Sequence, residues 1–133
     1  MATRKTSGTE AQVRERLEQW TQAVRARDID KVLAHHSKDV VMFDVPPPVE
    51  WRGIRKYRES WEYFFKHFPR EGGRFDLEKV EIATSADLAC AYGILECGEP
   101  GDTFPVRLTV MLRKVAGTWT IVHEHHSVPA ADT

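Results

Sequence analysis

The sequence predicts an α+β fold: three helices, then four long strands, with the helices on one face of a mostly antiparallel sheet. Three observations carry that expectation. Before Gly72 the apolar residues recur at helical spacing in three separate stretches. After Gly73 they alternate with the period of strands, and turn residues divide that second half into four runs.

The elements follow in order. Thr9 and Gln12 have the spacing of a capping box, and behind them Val13, Leu17, Trp20 and Val24 mark a first helix reaching about Arg27. Asp28-Ile29-Asp30 interrupts it, and a short second helix carrying Val32 and Leu33 ends near His36. Residues 40–44 form a short strand rich in β-branched and aromatic side chains. Pro46-Pro47-Pro48 then imposes an extended, donor-poor segment. Gly53 opens a third helix whose stripe of Ile54, Tyr57, Trp61, Phe64, Phe65 and Phe68 stops at Pro69.

In the strand half, Phe75 and Leu77 share one parity while Val80 and Ile82 share the other, which places a bulge near Glu78-Lys79. The next strands cover residues 88–97, 104–114 and 119–127, joined by Glu99-Pro100-Gly101-Asp102 and by Ala116-Gly117. Boundaries are therefore expected at a flexible N-terminus over 1–9, one domain over 10–129 and a flexible tail over 130–133.

Size and charge exclude some classes. A chain of 133 residues of this mass exposes roughly 22,000 Å² unfolded and about 7,000 Å² folded, so one core forms without metal or disulfide. Nineteen Lys+Arg balance twenty Asp+Glu, which gives no electrostatic reason for nucleic acid or an anionic membrane as partner. No apolar run approaches a membrane span and no signal-peptide core opens the chain, so the expected setting is the cytoplasm. Cys90 and Cys97 are seven apart in one strand, hence on opposite faces and unpaired.

Polar chemistry concentrates in the last two strands. Strict alternation puts Trp119, Ile121, His123 and His125 on one face. A two-residue type I′ turn at Ala116-Gly117 requires positive φ at Ala116, which alanine resists. A three-residue loop pairing Lys114 with Thr118 is therefore expected. That register sets Arg107 opposite His125 and Thr109 opposite His123, a polar cluster on one sheet face. His-x-His is also a metal-ligand spacing, but no third ligand is near in sequence and Arg107 disfavours a cation; no metal and no cofactor are expected. The histidines could equally be structural hydrogen-bonding groups under the helices. Asp44, beside apolar and aromatic neighbours, is a candidate proton shuttle or a strand-end cap. Tyr57 and Trp61 are pocket candidates because their polar atoms need partners.

The stretches "EQWTQAVRARDIDKVLAHHSKDVVMFD", "VVMFDVPPPVEWRGIRKYRESWEYFF" and "VRLTVMLRKVAGTWTIVHEHHSVP" resemble the SnoaL-like group of the nuclear-transport-factor-2-like superfamily, which includes ketosteroid isomerases. The resemblance implies a cone-shaped, strongly curved sheet wrapped around the helices and enclosing an apolar pocket. It also implies a homodimer through the outer sheet face, a role suited to the Val106-Leu108-Val110-Leu112 side. Asp44 matches the general-base aspartate of ketosteroid isomerases, enzymes that pair such a base with a tyrosine and a protonated aspartic acid. Here those donor positions read Trp20 and, nearby, Thr109, so a steroid isomerase is not implied. The resulting expectation is acid–base chemistry of isomerase, cyclase or dehydratase type on a small apolar carbonyl compound. In it Asp44 and His125 are catalytic, and Arg107, Thr109, His123, Tyr57, Trp61 and Trp20 bind ligand. The alternative is a non-catalytic dimeric module that binds a small carboxylate.

Overall fold

The computed structural model describes residues 8–130. The element order is α1 (Gly8–Arg25), α2 (Ile29–Leu33), β1 (His36–Phe43), β2 (Trp51–Arg52), α3 (Ile54–His67), β3 (Arg74–Thr84), β4 (Leu88–Glu99), β5 (Asp102–Val115) and β6 (Thr118–Ser127). Three helices pack against one curved, unclosed six-stranded sheet of order β2-β1-β6-β5-β4-β3. Every neighbouring pair is antiparallel except β1 with β6. The α+β expectation holds. Of the ends expected to be flexible, residues 1–7 and 131–133 lie outside the described residues, while Gly8 and Thr9 already belong to α1.

The helical periodicity buries Val13, Leu17, Trp20 and Val24 of α1 against Tyr57 and Trp61 of α3 and the inner sheet face. Gln12 does not complete a capping box, because it lies inside the helix and its side-chain oxygen accepts the Trp119 indole N–H at 3.1 Å. The second helix stops at Leu33, three residues before His36. Asp28 caps its start through the Lys31 N–H. His35 then takes a left-handed φ of 61° and turns the chain into β1, so His36 is a strand residue. Gly53, at φ 89°, fills the N-cap position of α3.

The β3 bulge falls where the parity change put it, with a register shift between Glu78 and Glu81 and Lys79 at φ 54°. The bulge presses its backbone onto β4. A Cβ on Gly93 would lie 2.9 Å from the Glu78 carbonyl oxygen and 3.1 Å from that of Lys79. Backbone atoms cannot swing aside as a side chain does. Gly93→Ala is therefore expected to lower unfolding stability by about 1–3 kcal/mol, read as a reduced urea midpoint at unchanged m-value.

Three expectations about β5 and β6 are corrected. The connecting turn is a two-residue loop, with Ala116 at φ 49° and Gly117 at φ 82°, pairing Val115 with Thr118. Alanine accepts the left-handed region here, a local cost of roughly 1–2 kcal/mol offset by the long ladder that the tight turn aligns. The ladder then shifts between Met111 and Leu112, so that Leu112 pairs Ile121 but Met111 pairs His123. The extra residue on β6 reverses its parity. Trp119 and Ile121 face the core, and beyond the bulge the inward residues are Glu124 and His126. Arg107 consequently pairs Ser127, and Thr109 pairs His125.

The third correction concerns the apolar side of β5. Val106, Leu108, Val110 and Leu112 are all buried in the core, not on an outer surface. A contact between copies through those four side chains is excluded. Cys97 is buried on the inner face and Cys90 is not; both are free thiols, as the odd spacing requires. Among the described residues no helix is long and apolar enough to cross a membrane.

Candidate active site

The parity change in β6 builds the site. Glu124 is 0% exposed, at the centre of the inner sheet face, and both carboxylate oxygens are occupied. Oε2 accepts the Tyr57 hydroxyl at 2.6 Å and lies 2.7 Å from His36 Nε2; Oε1 lies 3.1 Å from His126 Nε2. The Tyr57 oxygen in turn accepts the Trp20 indole N–H at 3.3 Å. A buried carboxylate is tolerable only when so many donors replace its water.

The electrostatics of this cluster oppose one another in an informative way. Burial alone would raise the Glu124 pKa, yet the hydrogen bonds from His126 and His36 and the charges of both rings outweigh it and bring it down to about 2. Burial alone would lower the His126 pKa, yet its bond to Glu124, the Glu124 charge and the charge of Asp44 raise it. Tyr57 is pushed well above the usual phenol range by burial and by the Glu124 charge. The arrangement is a carboxylate held ionised and an imidazole biased toward its cation, with a neutral phenol between two further partners.

His126 carries this network to a cavity. Its Nδ1 lies 3.6 Å from Asp44 Oδ1, an ion-pair contact rather than a hydrogen bond. Asp44 follows Val40 and Met42 on the inner face just past the end of β1, and Met42 pairs Glu124 in parallel register, which brings Asp44 alongside His126. The Asp44 carboxylate also accepts the Val45 N–H at 2.8 Å, closing off the start of the proline segment. Asp44 and His126 both line a cavity of about 230 Å³ whose other walls are largely aromatic and aliphatic, among them Trp51, Trp61, Phe75 and Val106. Cys97 also lines it, its thiol pushed up to about 11 by burial and by the Asp44 and Glu96 charges, so it is no thiolate nucleophile near neutral pH.

Of the residues singled out in the sequence, the structure brings Asp44 and Trp61 to the cavity wall. Tyr57 and Trp20 are buried behind it, in the hydrogen-bonded network rather than on the surface a ligand would meet. Arg107, Thr109, His123 and His125 are not among the cavity's lining residues. They lie on the opposite sheet face, because the β6 bulge turns the His-x-His pair outward. There Phe43 packs edge-on to both imidazoles, with centroids 4.8 and 5.4 Å away. His123 Nδ1 is 2.7 Å from the Val41 carbonyl oxygen, a structural role. His125 borders a shallow surface depression beside the prolines. Among the described residues, no group of three His, Cys, Asp or Glu side chains is placed to hold a metal ion.

Sequence reasoning missed Glu124, His126 and His36. One signal was available. The unbroken apolar side of β5 demands the core, which makes its polar side, and the His123–His125 side of β6 that pairs with it, the outer one.

The family model of the SnoaL-like domain matches residues 13–131. Among solved structures, the chain is similar to an NTF2-like protein of unknown function from Pseudomonas putida KT2440. That match has 31% identity and a TM-score of 0.87, and covers 95% of this chain and 90% of that one. A cystatin-like-fold protein of unknown function from Nostoc punctiforme shares 16% identity at TM-score 0.80, with 96% of each chain covered. A candidate ketosteroid isomerase from Shewanella frigidimarina shares 19% at TM-score 0.75, covering 90% of this chain and 98% of that one. At these last two identities the likeness is one of fold. No curated protein matches the sequence.

Proposed function

The chain belongs to the SnoaL-like domain family, and from that membership and the chemistry of its cavity we propose that it is an acid–base enzyme of isomerase or lyase type. Its substrate class is a small, mostly apolar carbonyl compound. The observation that carries this reading is the contact of Asp44 with His126 in the wall of an otherwise apolar cavity. A carboxylate and an imidazole meet there in apolar surroundings, the setting in which acid–base groups are found.

In this mechanism the Asp44 carboxylate removes a proton next to the substrate carbonyl. His126, whose pKa the Glu124 partner raises, balances the negative charge that develops and fixes the position of Asp44. Glu124, Tyr57 and His36 are positioning residues: they hold the His126 ring without reaching the substrate. Low polarity around the cavity strengthens each of these charge interactions. A carboxylate-binding role drew its support from Arg107. With Arg107 on the outer face, the cationic group facing Asp44 in the cavity is His126, already paired to Glu124.

The test needs no cognate substrate. Small cyclic ketones incubated with the protein in deuterium oxide are expected to exchange their α-protons faster than in buffer, followed by proton NMR. Asp44→Asn is expected to lower the protein-dependent rate by about 10²–10⁴, the usual contribution of a positioned general base. No acceleration across the ketone panel, or an undiminished rate in the variant, overturns the reading.

A further inference from the structure

An apolar cavity discriminates among ligands through the few polar groups its walls present. Most such groups here are already engaged. The Ser60 hydroxyl donates to the Tyr57 carbonyl at 2.6 Å, and the ring nitrogens of His126 face Glu124 and Asp44. Tyr63 and His67 are exposed, their rings in tilted contact at 4.9 Å between centroids, so water reaches their polar atoms. Two indole nitrogens remain, those of Trp51 and Trp61, both shut off from solvent and without a hydrogen-bond partner. The Trp61 ring packs edge-on to Tyr57, with centroids 6.2 Å apart, beside the hydrogen-bonded network. The Trp51 indole N–H has no hydrogen-bond partner among the described residues.

A buried donor without an acceptor is uncommon, and each one calls for an explanation such as a missing ligand. Trp51 lines the same cavity as Asp44 and His126. It stands on β2, a two-residue edge strand hydrogen-bonded to β1, and packs against the core beside the cavity. We propose that the Trp51 indole N–H donates to the carbonyl oxygen of the cavity's ligand and so selects carbonyl compounds over hydrocarbons of the same shape. The proposal rests on the reading of the cavity given above and adds to it the group that recognises the acceptor.

The experiment uses the full chain labelled with ¹⁵N-tryptophan, giving four indole resonances, with that of Trp51 assigned from its own backbone. Cyclohexanone and methylenecyclohexane serve as a matched pair, alike in shape but differing in the acceptor. Both are expected to perturb the Leu95 and Val106 methyl groups, and only cyclohexanone to move the Trp51 indole proton downfield. In Trp51→Phe, cyclohexanone is expected to bind about five- to tenfold more weakly, one neutral hydrogen bond's worth, with methylenecyclohexane unchanged. The wild-type shift stands whether or not the variant folds. The proposal fails if cyclohexanone perturbs those methyls without moving Trp51, if Trp51→Phe binds it equally well, or if neither compound enters. A ketone that moves Trp51 yet exchanges no faster than in buffer upholds this inference and removes the acid–base reading, so the two failures separate.

Discussion

Glu124→Gln is expected to lower the unfolding free energy by about 3–5 kcal/mol, a large fraction of the ~5–15 kcal/mol available to a domain of this size. The amide has the volume of the acid, so no cavity opens. What it lacks is charge. His36 and His126 are left beside a neutral group, and each has its second ring nitrogen committed elsewhere, to the Ala34 carbonyl and toward Asp44. One amide oxygen cannot replace two carboxylate oxygens that take three partners. The cost is that of leaving buried polar groups unpaired, not the net worth of the original contacts. Urea denaturation followed by tryptophan fluorescence measures it. Tyr57→Phe grades the effect, with an expected loss of about 1–3 kcal/mol, because it strands the Trp20 indole and removes one of the donors to Glu124. A Glu124→Gln protein within about 1 kcal/mol of the wild type would mean that the cluster is wet and that its members are not mutually dependent.

The same cluster marks where reading the sequence stopped. Period-two alternation located the strands, and the parity change from Phe75 and Leu77 to Val80 and Ile82 located the β3 bulge, since apolar side chains stand on both sides of it. The β6 bulge gives no such warning. The residues after it are His123, Glu124, His125 and His126, and four polar residues in a row carry no alternation to break. Nothing local says which of them faces the core. The decision is made by β5, whose apolar side chains must be buried and whose register drags Glu124 in with them. Ala116 worked in the same direction. Its conformational penalty is real but smaller than what a long, well-aligned ladder returns, so the two-residue loop forms against alanine's local preference. Asp44 and Trp61 were legible because their surroundings in the chain, a strand end before prolines and a helical aromatic stripe, already fixed their faces. His36 was not, because a helix assumed to extend to it hid the left-handed turn at His35.

Stability is expected to depend on pH on both sides of a plateau. The folded protein holds Glu124 at about 2, below its ordinary 4.5. A carboxylate depressed on folding contributes stability that is present above the ordinary value and is lost as pH falls through the folded one. That interval of about two and a half units corresponds to roughly 3 kcal/mol, removed between about pH 4.5 and 2. His126 is displaced the opposite way, upward from 6.5. A histidine raised on folding contributes stability that is complete below 6.5 and disappears as pH climbs through its folded value. Between about 4.5 and 6.5 both contributions are intact, and the urea midpoint should be greatest there. The two limbs share a partner, which gives a sharper test than either alone. Glu124→Gln removes the group that titrates in acid and also the main reason His126 is raised, so it should flatten both limbs at once. His126→Gln should flatten the alkaline limb and leave the acid one reduced, since His36 still bonds to Glu124. Urea unfolding of the three proteins from pH 3 to 9 decides the matter. A wild-type midpoint that rises steadily from pH 5 to 8 would contradict the raised pKa of His126, and with it the pairing that steadies Asp44 in the cavity wall.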